Sequence, residues 1–184
     1  FHAFGDELIR EHAFRLGLSP DVRVLSKAEQ LVFLRQHAFD LELEQLRPLA
    51  DPTRYLDALA TVFARAKDEA VTPEEFLACV TGEPRWQELA RAYAAYQRLL
   101  HQAQAIDFGD QVLLAVQLLE QHPEIAAAVR GRFRYILVDE FQDTNYAQFR
   151  LLQLLAPTTM NVTVVADDDQ SIYKWRGAAI SNVL

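Results

Sequence analysis

The chain of 184 residues contains one cysteine, Cys79, so it can close no internal disulfide. A lone thiol fits a reducing, cytoplasmic setting. No apolar run approaches the ~20 residues that span a bilayer, and no leader-like segment opens the sequence, so neither a membrane protein nor an exported one is expected. Lysine is scarce. Lys27, Lys67 and Lys174 follow Ser26, Ala66 and Tyr173, whereas a phosphate-binding loop of the form Gly-x-x-x-x-Gly-Lys-Ser/Thr needs glycine before its lysine. That loop is therefore absent from the chain. His12, His37, His101 and His122 have no cysteine or second histidine at metal-ligand spacing, which argues against a histidine or thiolate metal site. Positive charge is also short: the formal net charge is −8, and all of it falls in residues 1–129, while residues 130–184 balance. A generally basic nucleic-acid coat is excluded, and any such contact must be made by a local groove. Repeats, low-complexity tracts and long Pro/Gly/Ser linkers are missing as well.

What is present before residue 130 reads as helix. Residues 2–16 are amphipathic and stop at Gly17. Ser26-Lys27-Ala28-Glu29 and Thr72-Pro73-Glu74-Glu75 each have the form of a capping box opening a helix. Asp51-Pro52 reads as an N-cap followed by proline at the first helical position, ahead of Tyr55, Leu56, Leu59, Val62, Phe63 and Ala66 at helical spacing. A long helix from about Pro84 carries Trp86, Leu89, Tyr93, Tyr96 and Leu100 toward a core. The aromatic stripe Trp86-Tyr93-Tyr96 is thus read as packing rather than as a base-stacking surface. Asp107-Phe108-Gly109-Asp110 begins another helix, over 111–120.

Beyond residue 130 the pattern changes. Ile136-Leu137-Val138 and Val162-Thr163-Val164-Val165 are short, β-branched-rich runs, as expected of strands buried on both faces of a parallel sheet. Each ends in acid: Asp139-Glu140 after the first and Asp167-Asp168-Asp169 after the second. Open α/β sheets bind ligands beyond the carboxyl ends of their strands, so the two acidic ends should share one crevice. An Asp-Glu pair there suits a Mg²⁺–nucleotide site, the aspartate on the metal and the glutamate on a water. Strand ends also carry acids merely as caps; the second acidic end, with its following Gln170 and aromatic-basic segment, favours the site. Gln170 is an amide able to donate and accept beside a γ-phosphate. Tyr173 and Trp175, two residues apart and flanked by Lys174 and Arg176, combine stacking faces with charge, as single-strand binding requires.

These residues carry a family resemblance. Asp139-Glu140-Phe141-Gln142-Asp143-Thr144-Asn145 resembles motif II of the UvrD/Rep-type superfamily-1 DNA helicases, and residues 166–178 resemble their motif III. Phe1-His2-Ala3-Phe4 is similar to the tail of the family's Thr-Phe-His-Ser-type motif. Ala166 departs from the pattern, standing where the family has glycine, and a methyl there would crowd the loop if the position needs positive φ.

The resemblance implies an α/β fold: a partial RecA-like (P-loop NTPase) parallel sheet with a large, all-helical inserted subdomain. Residues 1–129 would be that subdomain, with 1–16 the tail of the preceding RecA-like portion. Residues 130–184 would be the C-terminal portion of the first RecA-like ATPase domain. It implies an ATP-dependent DNA helicase of replication or repair, using ATP and Mg²⁺ to move 3′→5′ on single-stranded DNA and to open single-strand/duplex junctions. Asp139 would hold the metal, Glu140 and Gln170 would be catalytic, and Gln142 and Gln170 would couple ATP to movement. Tyr173, Trp175, Arg176, His2 and Phe1 would touch DNA. The phosphate loop would lie upstream of Phe1 and the second-domain arginines beyond Leu184, so the chain alone is expected to be inactive. The family's phosphate-loop strand is expected between the two acidic-ended strands, leaving a gap or a non-native pairing here. A helicase subunit of a helicase–nuclease, or a non-catalytic DNA-binding module, are the alternative readings.

Overall fold

Three helices begin with reciprocal caps whose side chains satisfy otherwise unpaired amides at the first turn. Ser26 caps α2 (Lys27–Gln36), Thr72 caps α4 (Pro73–Cys79), and Asn145 caps a helix near the end of the chain, Tyr146–Leu155. The computed structural model describes residues 1–44, 46, 52–156 and 161–167. Within them the order is α1 (His2–Glu11), β1 (Arg23–Leu25), α2, α3 (Pro52–Asp68), α4, α5 (Pro84–Gln102), β2 (Ala105–Asp107), α6 (Asp110–Gln121), α7 (Pro123–Arg132), β3 (Tyr135–Val138), α8 (Tyr146–Leu155) and β4 (Asn161–Val164). Asp51, the expected cap of α3, lies outside the described residues.

The molecule is mixed α/β, with two small parallel sheets among the described residues: β1 pairs β2, and β3 pairs β4. The first of these corrects the expectation of an all-helical stretch before residue 130. Val24 and Ile106 sit opposite each other in strands of three residues, too short for alternation to register as a pattern.

Two main cores organise the helices. In the first, α2, α3 and α5 meet around Phe63, which stacks on Tyr93 and Tyr96 at centroid distances of 5.4 and 5.2 Å. Both tyrosines are fully buried, as packing residues should be, whereas Trp86 at the start of α5 is 49 % exposed and does not join them. Its indole instead lies at a tilt of 54° to the Phe76 ring, with centroids 6.4 Å apart. In the second core, α1, α6, α7 and α8 pack around Leu8, Leu118, Leu119 and Leu151. Burying a side chain of this size is worth about 1.5–3 kcal/mol. Gly5 sets the approach of α1 to α6, since a Cβ there would lie 2.0 Å from the carbonyl oxygen of Gln111.

The β3–β4 sheet differs from expectation in its burial. Ile136 and Val138 turn toward the helical cores, but Tyr135 and Leu137 on the other face are 75 % and 71 % exposed, and β4 is exposed throughout. Only β3 is therefore covered, and on one face alone, while β4 is covered on neither face among the described residues. The two strands also pair directly in unbroken register, Tyr135↔Asn161 to Val138↔Val164, continued by Val165 N–H donating to Val138 O at 2.8 Å. There is no gap between them; of the two outcomes expected here, direct pairing is the one found.

Candidate functional site

The parallel pairing of β3 and β4 brings both acidic strand ends to one place. Past Val138 the chain turns through Glu140, whose φ of 52° and ψ of 43° are left-handed, a conformation uncommon for a residue with a β-carbon. The Glu140 N–H donates to Asp139 Oδ1 at 3.0 Å, and both carboxylates are exposed at the mouth of the crevice. Phe141 N–H donates to Val165 O at 2.9 Å, sewing the turn to the end of β4.

Gln142 completes that junction and is 1 % exposed. Its amide nitrogen donates to Glu140 Oε2, and its amide oxygen accepts from the backbone of Asp167 at 3.0 Å. One buried amide therefore links the glutamate to the acidic end of the second strand. Ala166, in the same segment, is not among the described residues with positive φ, so its methyl carries no backbone strain. Gln170, Tyr173, Lys174, Trp175 and Arg176 lie outside the described residues.

The donor chemistry at the mouth fits Mg²⁺, a hard cation that takes one or two carboxylates and fills its shell with water and phosphate oxygens. Among the described residues no group of three or more His, Cys, Asp or Glu forms a closed metal cage. The arrangement suits a metal that arrives with a phosphorylated substrate.

Motif II runs on from this mouth into a second feature, a cleft of about 940 Å³. Asp143, Asn145 and Gln148 form one wall, Ser26, Lys27 and Gln30 another, and His2 and Phe108 stand at its edge. The His2 and Phe108 rings stack with centroids 3.8 Å apart and planes 22° apart. Burial lowers the His2 imidazole to about 4, so at neutral pH the ring is uncharged. Phe108 nevertheless keeps 60 % of its surface exposed, and Phe1 nearby in sequence keeps 37 %. Asp143 Oδ1 is buried without a hydrogen-bond partner.

Sequence reasoning found His2 and missed Phe108, reading residues 107–110 as a helix start and, by the resemblance, as the segment that returns toward the nucleotide-binding domain. The signal was an aromatic side chain set between two aspartates in a capping turn. Burial of those aspartates leaves the ring as the only residue of the turn that faces outward to this extent.

The same cleft joins the helical part to motif II. Asn145 Nδ2 donates to Asp68 Oδ1 at 2.7 Å across 77 residues of sequence. Burial, reinforced by the charge of Glu69, raises the Asp68 carboxyl to about 6. One residue earlier, Lys67 is wholly buried with Asp107 and Asp110. Burial acts against its charge, but the two carboxylates outweigh it and raise the ammonium above its ordinary value. Asp107 is likewise penalised by burial yet held below the usual carboxylate range by Lys67, while burial and the Asp107 charge raise Asp110.

A profile of the UvrD/REP helicase N-terminal domain matches residues 1–184. The chain is 36 % identical over 184 residues to the ATP-dependent DNA helicase PcrA of Bacillus subtilis (strain 168), covering all of this chain and 24 % of that protein. It is 33 % identical over 185 residues to PcrA of Leuconostoc citreum, and 33 % over 184 residues to PcrA of Staphylococcus aureus (strain Mu50 / ATCC 700699). In both cases the match again covers all of this chain and 24 % of the relative. The chain thus spans about a quarter of the length of the relatives it matches.

Proposed function

Because the chain belongs to the UvrD/REP helicase family, we propose that it is part of an ATP-dependent DNA helicase, contributing the hydrolytic carboxylates and one wall of a single-strand groove. The β3–β4 sheet would be part of a RecA-like ATPase domain and residues 17–129 an inserted subdomain. The single observation that supports this reading is the path of motif II. Within seven residues it runs from the exposed Asp139–Glu140 pair, through the buried Gln142 bridge, to the cleft edged by His2 and Phe108.

Asp139 would hold Mg²⁺, which when bound neutralises phosphate charge as the terminal phosphoryl group leaves. Glu140 accepts the proton of, or orients, the attacking water, and the left-handed turn fixes its carboxylate relative to Asp139. Gln142 keeps Glu140 in register with Asp167, and Gln170 further along that segment reads the γ-phosphate. On the other side of the loop, the neutral His2–Phe108 stack offers an aromatic face to a nucleobase, Phe1 extends it, and Tyr173, Trp175 and Arg176 add stacking and charge. Hydrolysis would drive movement along single-stranded DNA in the 3′→5′ direction. The 184-residue chain by itself, without a Gly-Lys phosphate loop, would not hydrolyse ATP.

The test separates the two carboxylates in the full-length protein. Glu140→Gln keeps Mg-ATP binding while hydrolysis falls by about 10²-fold or more, since only the water loses its partner. Asp139→Asn weakens Mg-dependent ATP binding as well. Nucleotide affinity by titration calorimetry and phosphate release measure the two effects. Equal, mild effects from both substitutions would overturn the assignment.

A further inference from the structure

The turn 107–110 is braced from several helices, yet the one large side chain it carries is 60 % exposed. Asp107 Oδ2 accepts from Lys67 Nζ of α3 at 2.6 Å, from Gln30 Nε2 of α2 at 3.0 Å and from Tyr96 OH of α5 at 3.0 Å. Asp110 Oδ1 meets the same Lys67 Nζ at 2.8 Å and accepts from Gln97 Nε2 of α5 at 2.9 Å. The two aspartates also cap each other's backbone: Asp107 N–H donates to Asp110 Oδ2 at 2.9 Å, and Asp110 N–H to Asp107 Oδ1 at 3.1 Å. Lys67 touches the turn with its stem too, since a Cβ on Gly109 would lie 2.9 Å from its Cδ and 3.1 Å from its Cβ. Three helices therefore converge on the carboxylates either side of Phe108.

A buried ion cluster of this kind is a poor way to add stability. Removing charges from water costs several kcal/mol per ion, and well-packed apolar residues of similar volume often do as well or better. What such a cluster does supply is a fixed geometry, because charge-assisted hydrogen bonds tolerate little displacement. Here the geometry that is fixed belongs to a residue that takes no part in the core. Phe108 meets His2 from the first turn of α1, and both stand at the edge of the cleft.

We propose that Lys67 is a positioning residue for nucleic-acid binding: clamped between Asp107 and Asp110, it holds the turn that presents Phe108 against His2 as a preformed stacking platform. This rests on the reading of the His2–Phe108 surface as part of the single-strand groove. A ring held in place before binding loses little freedom when a base stacks on it, so the clamp acts through affinity rather than through contact. Lys67 itself, wholly buried, never reaches the strand.

The experiment measures binding of a fluorescent oligothymidylate to the full-length protein, with thermal melting alongside. Phe108→Ala weakens binding about 5- to 100-fold, the loss of one stacked base. Lys67→Met alone would leave two buried carboxylates unpaired and could unfold the region, so the neutral triple Lys67→Met/Asp107→Asn/Asp110→Asn is the informative variant. It melts close to the parent but binds the oligonucleotide almost as weakly as Phe108→Ala, and adding Phe108→Ala to it costs no more than about 2-fold further. Gly109→Ala, which displaces the Lys67 stem and leaves every charge in place, also weakens binding several-fold and decides the matter should the triple fail to fold. A folded triple, or in its absence a folded Gly109→Ala variant, that binds as tightly as the parent makes the cluster structural only and overturns the proposal. Unchanged binding by Phe108→Ala would instead remove the single-strand reading beneath it, and the two failures are distinct.

Discussion

At the scale of single residues, the site concentrates groups held away from their ordinary states. Glu140 occupies a left-handed backbone conformation, which costs roughly 1–2 kcal/mol for a residue with a β-carbon. Such a position at the end of a strand marks a turn shaped for its side chain rather than for its own stability. Asp68 is a second case, with its carboxyl raised from 3.8 to about 6 by burial and by Glu69. The folded chain then binds this proton more tightly than the unfolded chain does. Its stabilising contribution is complete below about pH 4 and is lost as pH rises through about 6. Asp68→Asn removes the titration while its amide oxygen can still accept from Asn145. Relative to the parent, the melting temperature of this variant rises between about pH 4 and pH 6 and then levels off. A difference that stays constant across that window would show that Asp68 does not titrate as its surroundings require.

At the scale of elements, the site depends on where α1 lies. His2 opens that helix, and its ring reaches Phe108 only because α1 packs tightly on α6, which the Phe108 turn begins. Gly5 permits the approach. An added methyl would meet the Gln111 carbonyl at 2.0 Å, a contact with backbone that no side-chain rotation relieves. Gly5→Ala should therefore destabilise the chain by ~1–3 kcal/mol or more, and read out as a lower melting temperature. It should also separate His2 from Phe108, so that affinity for single-stranded DNA falls in the same variant. Parent-like melting would mean that the two helices can slide apart at little cost. The α3 helix has the complementary role. Its last two residues reach both halves of the site, Lys67 to the Phe108 turn and Asp68 to the cap of α8.

At the scale of the whole molecule, the described structure has well-filled helical cores and a half-covered sheet. Tyr135 and Leu137 on one face, Val162 and Val164 of β4 on the other, and Val165 just past β4 leave apolar side chains exposed on a sheet that has two strands among the described residues. Such surfaces pair with further strands or with other copies. The 184-residue chain on its own should therefore self-associate. Leu137→Lys, at a position already 71 % exposed, should reduce that association without lowering the melting temperature. Sedimentation of the two chains at equal concentration is the check, and a monomeric parent would refute it. No described helix is long and apolar enough to cross a membrane.

Local chemistry alone made several parts legible. The Ser26 and Thr72 capping boxes, the left-handed stop at Gly17, the buried Tyr93 and Tyr96, and the common end of the two acidic strands all follow from side chains acting on their near neighbours or from strand direction. The family motifs, too, are contiguous in sequence. What depended on distant partners was not legible. Strands of three residues have no period to detect, so the β1–β2 pair appeared only when Val24 met Ile106. The order of β3 and β4 depends on pairing energies between segments more than twenty residues apart. Exposure of one sheet face depends on which helices come to rest on it. Phe108 shows the division most clearly, because an Asp-Phe-Gly-Asp turn starts a helix on any reading of the sequence. Only the convergence of α2, α3 and α5 on its two aspartates, and the arrival of His2 from the far end of the chain, turned its aromatic ring into part of a site. Capping is decided within one helical turn, whereas a platform is decided by where separate helices stop one another.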